Sequence, residues 1–431
     1  RPAGDVGSHL YCESARTDAR SAAQGECGMP SLIAWLDASS EDQRRMREIV
    51  NLFSDRDSRD ELGIGQIRDV LSDTLFPGTS TLLTRARYML LIPWAFTAAA
   101  KPGRPAAEIA RWVDKNERNL IATLKGETDG EGLLGKTAGA ALKTLPSSTY
   151  WAALRQYGIL ADPSQSQADA IVASIPHASG DDDEPSRSLG PWSPTLPPFP
   201  EKFPASTGGG FDLSRDEAGW LRDRMLNGSQ GSLLAHFIEH RPQAETAAPW
   251  LEPAAAGASP SAVRDLAHAQ MFSLALHGAS LLYNLLLAEA YEAAGNDRVT
   301  GRVEAYRKRL DEWQNDRDQA ATQLATWNRS DFWSLVKSKN PNINGSSRAF
   351  VDSWLDAVTG SDPLTIADDE NLRAFITRRE QRHKGKQARL QNTRMLQNWQ
   401  GASGAGALTF RWRQVQGILA DLHDGLERND A

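Results

Sequence analysis

Between Asp60 and Trp94 the chain reads DELGIGQIRDVLSDTLFPGTSTLLTRARYMLLIPW, which sets Asp60, Glu61, Asp69 and Asp73 close to Arg85 and Arg87. Converging carboxylates hold a hard cation such as Mg²⁺. On that chemistry Asp60, Glu61, Asp69 and Asp73 would serve a metal-dependent nuclease. No His or Cys lies among them, and their spacing is not specific for a metal. The second chemistry is ionic. Ile64, Ile67, Val70, Leu71 and Leu75 recur at helical spacing, Pro77-Gly78 stops that helix, and Thr79 or Ser80 can cap a second one. The pair makes a helix-turn-helix-like corner with Arg85 and Arg87 early on its second helix, where they could meet phosphates. The plainer alternative is that both arginines pair with Asp60, Asp69 or Asp73.

A second basic run is Arg378, Arg379, Arg382, Lys384, Lys386, Arg389 and Arg394, opposed only by Glu380. Trp399, Phe410, Arg411, Trp412 and Arg413 follow it. Cations interleaved with aromatic rings suit phosphate contact and base stacking. A solvated helix face with tryptophans in the core would leave the same pattern.

A third stretch, LLGKTAGAALKTLPSSTYWAALRQYGIL from Leu133, reads as helix, short turn, helix, Gly158 and an apolar strand. With a preceding helix near Asn116–Lys125 this is the element order of a winged helix. Its second helix would offer Ser147, Ser148, Thr149, Tyr150 and Arg155 to a DNA groove, with Trp151, Leu154 and Tyr157 inward. The same stretch contains Gly130-Glu131-Gly132-Leu133-Leu134-Gly135-Lys136-Thr137, a formal match to the P-loop pattern. The polar residues before it supply no buried strand, so the match reads as coincidence. Lys136 is better placed for a phosphate-backbone contact. His236 and His240 share a helix face, and His423-Asp424 stands alone; neither completes a metal site. No G-x-S-x-G elbow signals a serine hydrolase. No cofactor is expected.

The elements that must position these groups are mainly helical. With 431 residues the chain is long enough for two or three domains, and its net charge of −7 confines any polyanion contact to a local patch. The only cysteines, Cys12 and Cys27, precede Met29. The body therefore lacks disulfides and Cys-ligated zinc, which fits a cytoplasmic protein. Residues 1–28 read as a disordered extension, with Met29 the more natural start. Residues 29–163 read as an N-terminal helical domain with a winged-helix-like unit at about 116–163. Residues 164–211 form an acidic and Pro-rich linker around Asp181–Glu184. Its second part, with Trp192, Leu196, Phe199 and Phe203, lies along a protein surface. Residues 212–431 read as a C-terminal helical domain. Ser39 or Ser40 with Asp42 or Gln43, and Ser214 with Glu217, are capping boxes. Ser259-Pro260 opens a long apolar helix that Leu266–Tyr291 marks as buried rather than membrane-spanning.

The run MPSLIAWLDASSEDQRRMREIVNLF from Met29, then DELGIGQIRD, LFPGTS, TRARY, PSSTYW, SLLYNLLLAEAY, KGKQARLQN and LTFRWRQV, resembles a bacterial family of unknown function. The resemblance covers the chain from about Met29 to its end. It implies a neighbourhood rather than a chemistry: prokaryotic anti-phage defence islands, beside helicases and nucleases. No functional residue comes with it. The expectation is a mainly α, helical multi-domain protein with a winged-helix-like unit in its N-terminal half. It would act as a non-catalytic nucleic-acid-binding or adaptor subunit, with DNA and a helicase or nuclease as partners and no membrane. The rivals are a metal-dependent nuclease and a protein-binding scaffold.

Overall fold

In the computed structural model, residues 60–175, 190–359 and 365–428 are described. The expected extension 1–28, the first capping box and the acidic run Asp181–Glu184 lie outside them.

A 34-residue helix, α8 (Pro260–Ala293), is the axis on which much of the rest packs. By length and composition it could cross a membrane, but 83% of its most apolar window is buried by the rest of the chain. Helices α9 (Arg302–Gln319), α12 (Gly345–Val358), α13 (Glu370–Lys384) and α14 (Thr393–Gln397) lie against it. Two tryptophans fasten its neighbours. Trp313 of α9 donates from Nε1 to the Leu274 carbonyl at 2.7 Å, and Trp354 of α12 donates to Ala275 at 2.8 Å. The Trp313 ring lies over Gly278, where a Cβ would come within 2.4 Å of it. Only glycine permits that approach.

The second centre is α2 (Tyr88–Ala99), which buries ten of its twelve residues. Each large side chain removed from water there contributes about 1.5–3 kcal/mol. Against it pack α3 (Ala106–Glu127) and α4 (Pro146–Gln156). The stretch from Gly190 to Phe211 straps this layer. Trp94 Nε1 donates to the Pro197 carbonyl at 2.7 Å, Thr123 Oγ1 donates to Pro204 at 2.8 Å, and Trp192 meets Phe96 and Trp151 edge-on. This part of the expected linker does run along a protein surface, and Trp192, Phe203 and Phe211 are buried there.

The described residues on both sides of 164–211 belong to one compact unit. Helix α1 (Gly65–Leu75) packs on α8 and on α11 (Arg329–Lys339). Helix α15 (Trp412–Glu427) packs on α6 (Arg215–Gly228) and α7 (Leu233–Glu239). The helical run that starts at Arg302 breaks at Ala320 into α9 and α10 (Ala321–Thr326). The short helix α5 is Gln167–Ala173, capped by Ser166 and Asp169.

The mainly helical expectation holds, but the winged-helix unit is not there. No strand or hairpin occurs among the described residues, only an isolated antiparallel bridge between Leu160 and Trp192. The reason is local. Ala161 N donates to Pro191 O and Ser193 N donates to Ile159 O, so Ile159–Ala161 pairs with the Pro-rich strap. Pro191, Pro194, Pro197 and Pro198 lack the N–H a ladder needs, so pairing cannot spread. The first helix expected in the stretch from Leu133 is also reduced to a 3-10 turn, Gly139–Ala141, because Gly135 and Gly139 take positive φ. The helix-turn-helix-like corner is opened in the same way. After Pro77-Gly78 the chain makes successive turns, and α2 begins only at Tyr88.

Candidate interaction surface

The arginines near the start of α2 face inward. Arg87 gives Nε and Nη2 to the Glu217 carboxylate at 3.0 and 2.8 Å and Nη1 to the Gly210 carbonyl at 3.0 Å. Its side chain is only 3% exposed. Glu217 also closes the capping box of α6 by accepting from Ser214 N at 3.0 Å. One carboxylate thus caps a helix and neutralises an arginine. Arg85 makes a forked contact with Asp421 of α15, at 3.0 Å from Nε and 2.7 Å from Nη2, and lies over the Phe211 ring. Burial raises the Asp421 carboxyl above the usual aspartate range despite Arg85, and the Ala86 amide donates to it at 2.8 Å. Both arginines are paired, but not with Asp60, Asp69 or Asp73. The carboxylates come from α6 and α15, distant in sequence.

Of the residues expected to face a groove at Ser147–Arg155, Ser147 and Tyr150 are turned inward, Thr149 is half-buried and Ser148 is exposed. Tyr150 is fully buried; its hydroxyl accepts from Thr84 N at 2.8 Å and Arg85 N at 3.0 Å, and donates to Arg85 O at 2.9 Å. Ser147 is held by buried Glu117 of α3, whose carboxylate accepts from Ser147 N at 2.7 Å and Oγ at 2.9 Å. Burial pushes the Glu117 carboxyl up to about 7, the two Ser147 donors only partly opposing it. Trp151, Leu154 and Tyr157 do face the core. Arg155 is exposed and donates to the Pro163 carbonyl. Lys136 is exposed, with Nζ 3.4 Å from the Asp129 carbonyl. Several amides of the P-loop-like turn are already spent. Gly130 N goes to Thr128 Oγ1, Glu131 N to Asp129, Leu133 N to Gly130 O and Leu134 N to the Tyr88 hydroxyl.

The four carboxylates near the N-terminal end of the described chain do not converge. Asp60 caps α1, accepting from Ile64 N at 2.9 Å and Gly65 N at 2.7 Å. Glu61 is buried and pairs with Lys384 at 3.5 Å and with Arg389. Asp69 meets Arg68, and Asp73 meets Arg411. Among the described residues no three His, Cys, Asp or Glu side chains come together as metal ligands. His236 and His240 stack at 4.4 Å, and His236 Nε2 donates to Ala254 O at 2.8 Å. His423 Nε2 donates to Phe237 O at 2.8 Å, and burial lowers its pKa.

The second basic run divides. Arg379 is buried in α13 and donates to the Leu62 carbonyl at 2.7 Å, to Gly63 O, and to Ser346 and Ser347 at the start of α12. Its partners are neutral, and burial lowers its pKa, with Asp60 opposing. Lys384 and Arg389 are taken by Glu61. Trp399, Phe410 and Trp412 lie in the core, so the expected base-stacking rings are not on the surface. Arg378, Arg382, Lys386 and Arg394 stay exposed and make no ion pair with a described carboxylate. The one carboxylate of the run, Glu380, is fully buried. Within the run from Arg378 to Arg394 the exposed charged side chains are therefore all cations. Beside it lies an open depression of about 470 Å³ lined by Gln381, Gly385, Lys386, Ala388, Gln391 and Asn392.

Sequence reasoning found these exposed cations but missed the carboxylates that sort the rest. Glu117, Glu217, Glu380 and Asp421 are single acids within helical runs. The capping box at Ser214 had singled out Glu217, and Glu380 stood out only as the one acid of the basic run.

A family of unknown function, DUF6361, matches residues 30–425. No curated protein and no solved structure matches the chain.

Proposed function

The chain belongs to this family of unknown function, and from that premise we propose that it is a non-catalytic adaptor subunit that docks a partner protein through the cationic corner of α13 and α14. The observation that supports this reading is the division of the basic run. Three of its cations are consumed by Glu61 and by backbone and hydroxyl groups, while Arg378, Arg382, Lys386 and Arg394 are left exposed with no ion pair to a described carboxylate. In a chain of net charge −7 such exposed cations steer a complementary partner at long range. The partner to look for is a helicase or nuclease of a prokaryotic anti-phage defence system, in the cytoplasm.

The test is co-purification from the native host with wild-type protein and with a charge-reversed Arg378→Glu/Arg382→Glu variant. A partner retained by the wild type, released by salt and absent from the variant is the expected result. Recovery of the same proteins by both would rule the corner out as the contact face.

A further inference from the structure

The corner is a built loop, not a frayed helix end. Helix α13 stops at Gly385, whose φ is +55°, and the chain returns through two 3-10 turns to Asn392, the cap of α14. Asn392 Nδ2 donates to the Lys386 carbonyl at 2.8 Å and closes the loop across its mouth. Its floor is held by Glu380. That buried carboxylate accepts from the Tyr283 hydroxyl of α8 at 2.7 Å, from Arg389 N at 2.7 Å and from Leu390 N at 3.1 Å. Two successive backbone amides, which could have cradled a phosphate, are thereby committed to an internal acid.

Resting on the docking reading above, we propose that the depression takes an acidic segment of the partner protein. Its carboxylates meet Arg378, Arg382, Lys386 and Arg394, and its backbone meets the side-chain amides of Gln381 and Gln391. Glu380 is the positioning residue that holds the loop in the receiving shape. Three observations favour a peptide over a nucleic acid. The rings that would stack on bases, Trp399, Phe410 and Trp412, are 2%, 3% and 0% exposed. The loop amides that would bind phosphate are occupied. What the lining offers instead is side-chain amide, which pairs equally with peptide N–H and C=O. Arg378 and Arg382 are one helical turn apart and so present guanidiniums on one face.

The experiment uses the full chain, a fluorescein-labelled oligoglutamate peptide and a DNA duplex of matched charge, with anisotropy read across a salt series. The peptide is expected to bind, to weaken as salt rises, and to bind more tightly than the duplex. Arg378→Ala/Arg382→Ala lowers peptide affinity roughly tenfold, as two partly screened charges should. Glu380→Gln lowers it comparably and speeds hydrogen exchange at Arg389 and Leu390, an effect that loss of surface charge alone would not produce. If the Gln variant does not fold, Tyr283→Phe is read in its place, with faster exchange at the same two amides and a smaller loss of affinity. Tighter binding of the duplex overturns the acidic-segment proposal but leaves a polyanion face. Binding of neither probe at low salt overturns the docking reading itself. Unchanged exchange in the Glu380 or Tyr283 variant overturns the positioning role alone.

Discussion

The start of α2 and the end of α13 are both arginine-rich, and the chain uses them oppositely. At α2, Arg87 is buried against Glu217 and Arg85 half-buried against Asp421, and the adjacent backbone is tied to the Tyr150 hydroxyl. At α13, one arginine of the run is buried against neutral oxygens while Arg378 and Arg382 remain in water. The difference lies in what faces each helix. α2 packs against α3 and α4, and the residues that lead into it meet α6 and α15, so a buried cation there must be paired to be tolerated. One side of α13 faces α8 and the other faces solvent. An arginine's sequence neighbours therefore say little about its role, while the element opposite it decides.

The sharpest way to break this contrast is Arg87→Ala. It strips the partner from Glu217 in a buried pair, and the expected loss is about 3–5 kcal/mol in urea unfolding. A loss below about 1 kcal/mol would place Arg87 with the surface arginines.

Next in size is Glu117→Gln, read as stability against pH. The folded carboxyl sits near 7, above its ordinary value of 4.5. The folded state therefore binds the extra proton. The stability this contributes is fully present below about 4.5 and is lost as pH rises through about 7. Gln keeps both contacts to Ser147 without a charge. The wild type should lose about 3 kcal/mol between those pH values relative to the variant. Parallel curves would show that Glu117 is solvated in solution.

Tyr150→Phe removes one hydroxyl and strands the Thr84 and Arg85 amides, with an expected cost of about 2 kcal/mol. An unchanged midpoint in thermal unfolding would mean that water replaces the hydroxyl and that this end of α2 is more open than the contrast requires. At the small end, Arg378→Ala/Arg382→Ala should stay within about 0.5 kcal/mol of wild type by the same unfolding assay. A larger loss would show that these two arginines also serve the fold.

Much of the helical order was legible in advance. Capping at Ser214 and Ser259 and the burial of Leu266–Tyr291 follow from short-range periodicity and from side chains that bond their own backbone. The winged-helix expectation failed where short range was not enough. A glycine followed by an apolar pair looks the same whether a hairpin or a strap lies across from it, and here the strap is a proline-rich segment that cannot extend a ladder. The aromatic residues of the basic run failed for a related reason. Trp399 and Trp412 are as apolar as they are π-faced, and core packing claimed them.

Taken by itself, the amino-acid order determined that this is a helical chain with a buried long helix, a local basic run and no cysteine after Cys27. Those properties depend on composition and on neighbours within a turn or two. Which cations are spent and which remain was decided only by tertiary structure. Glu61 lies 328 residues from Arg389, and Asp421 lies 336 from Arg85. Contacts across such separations arise from how helices stack around α2 and α8, and no local spacing encodes them.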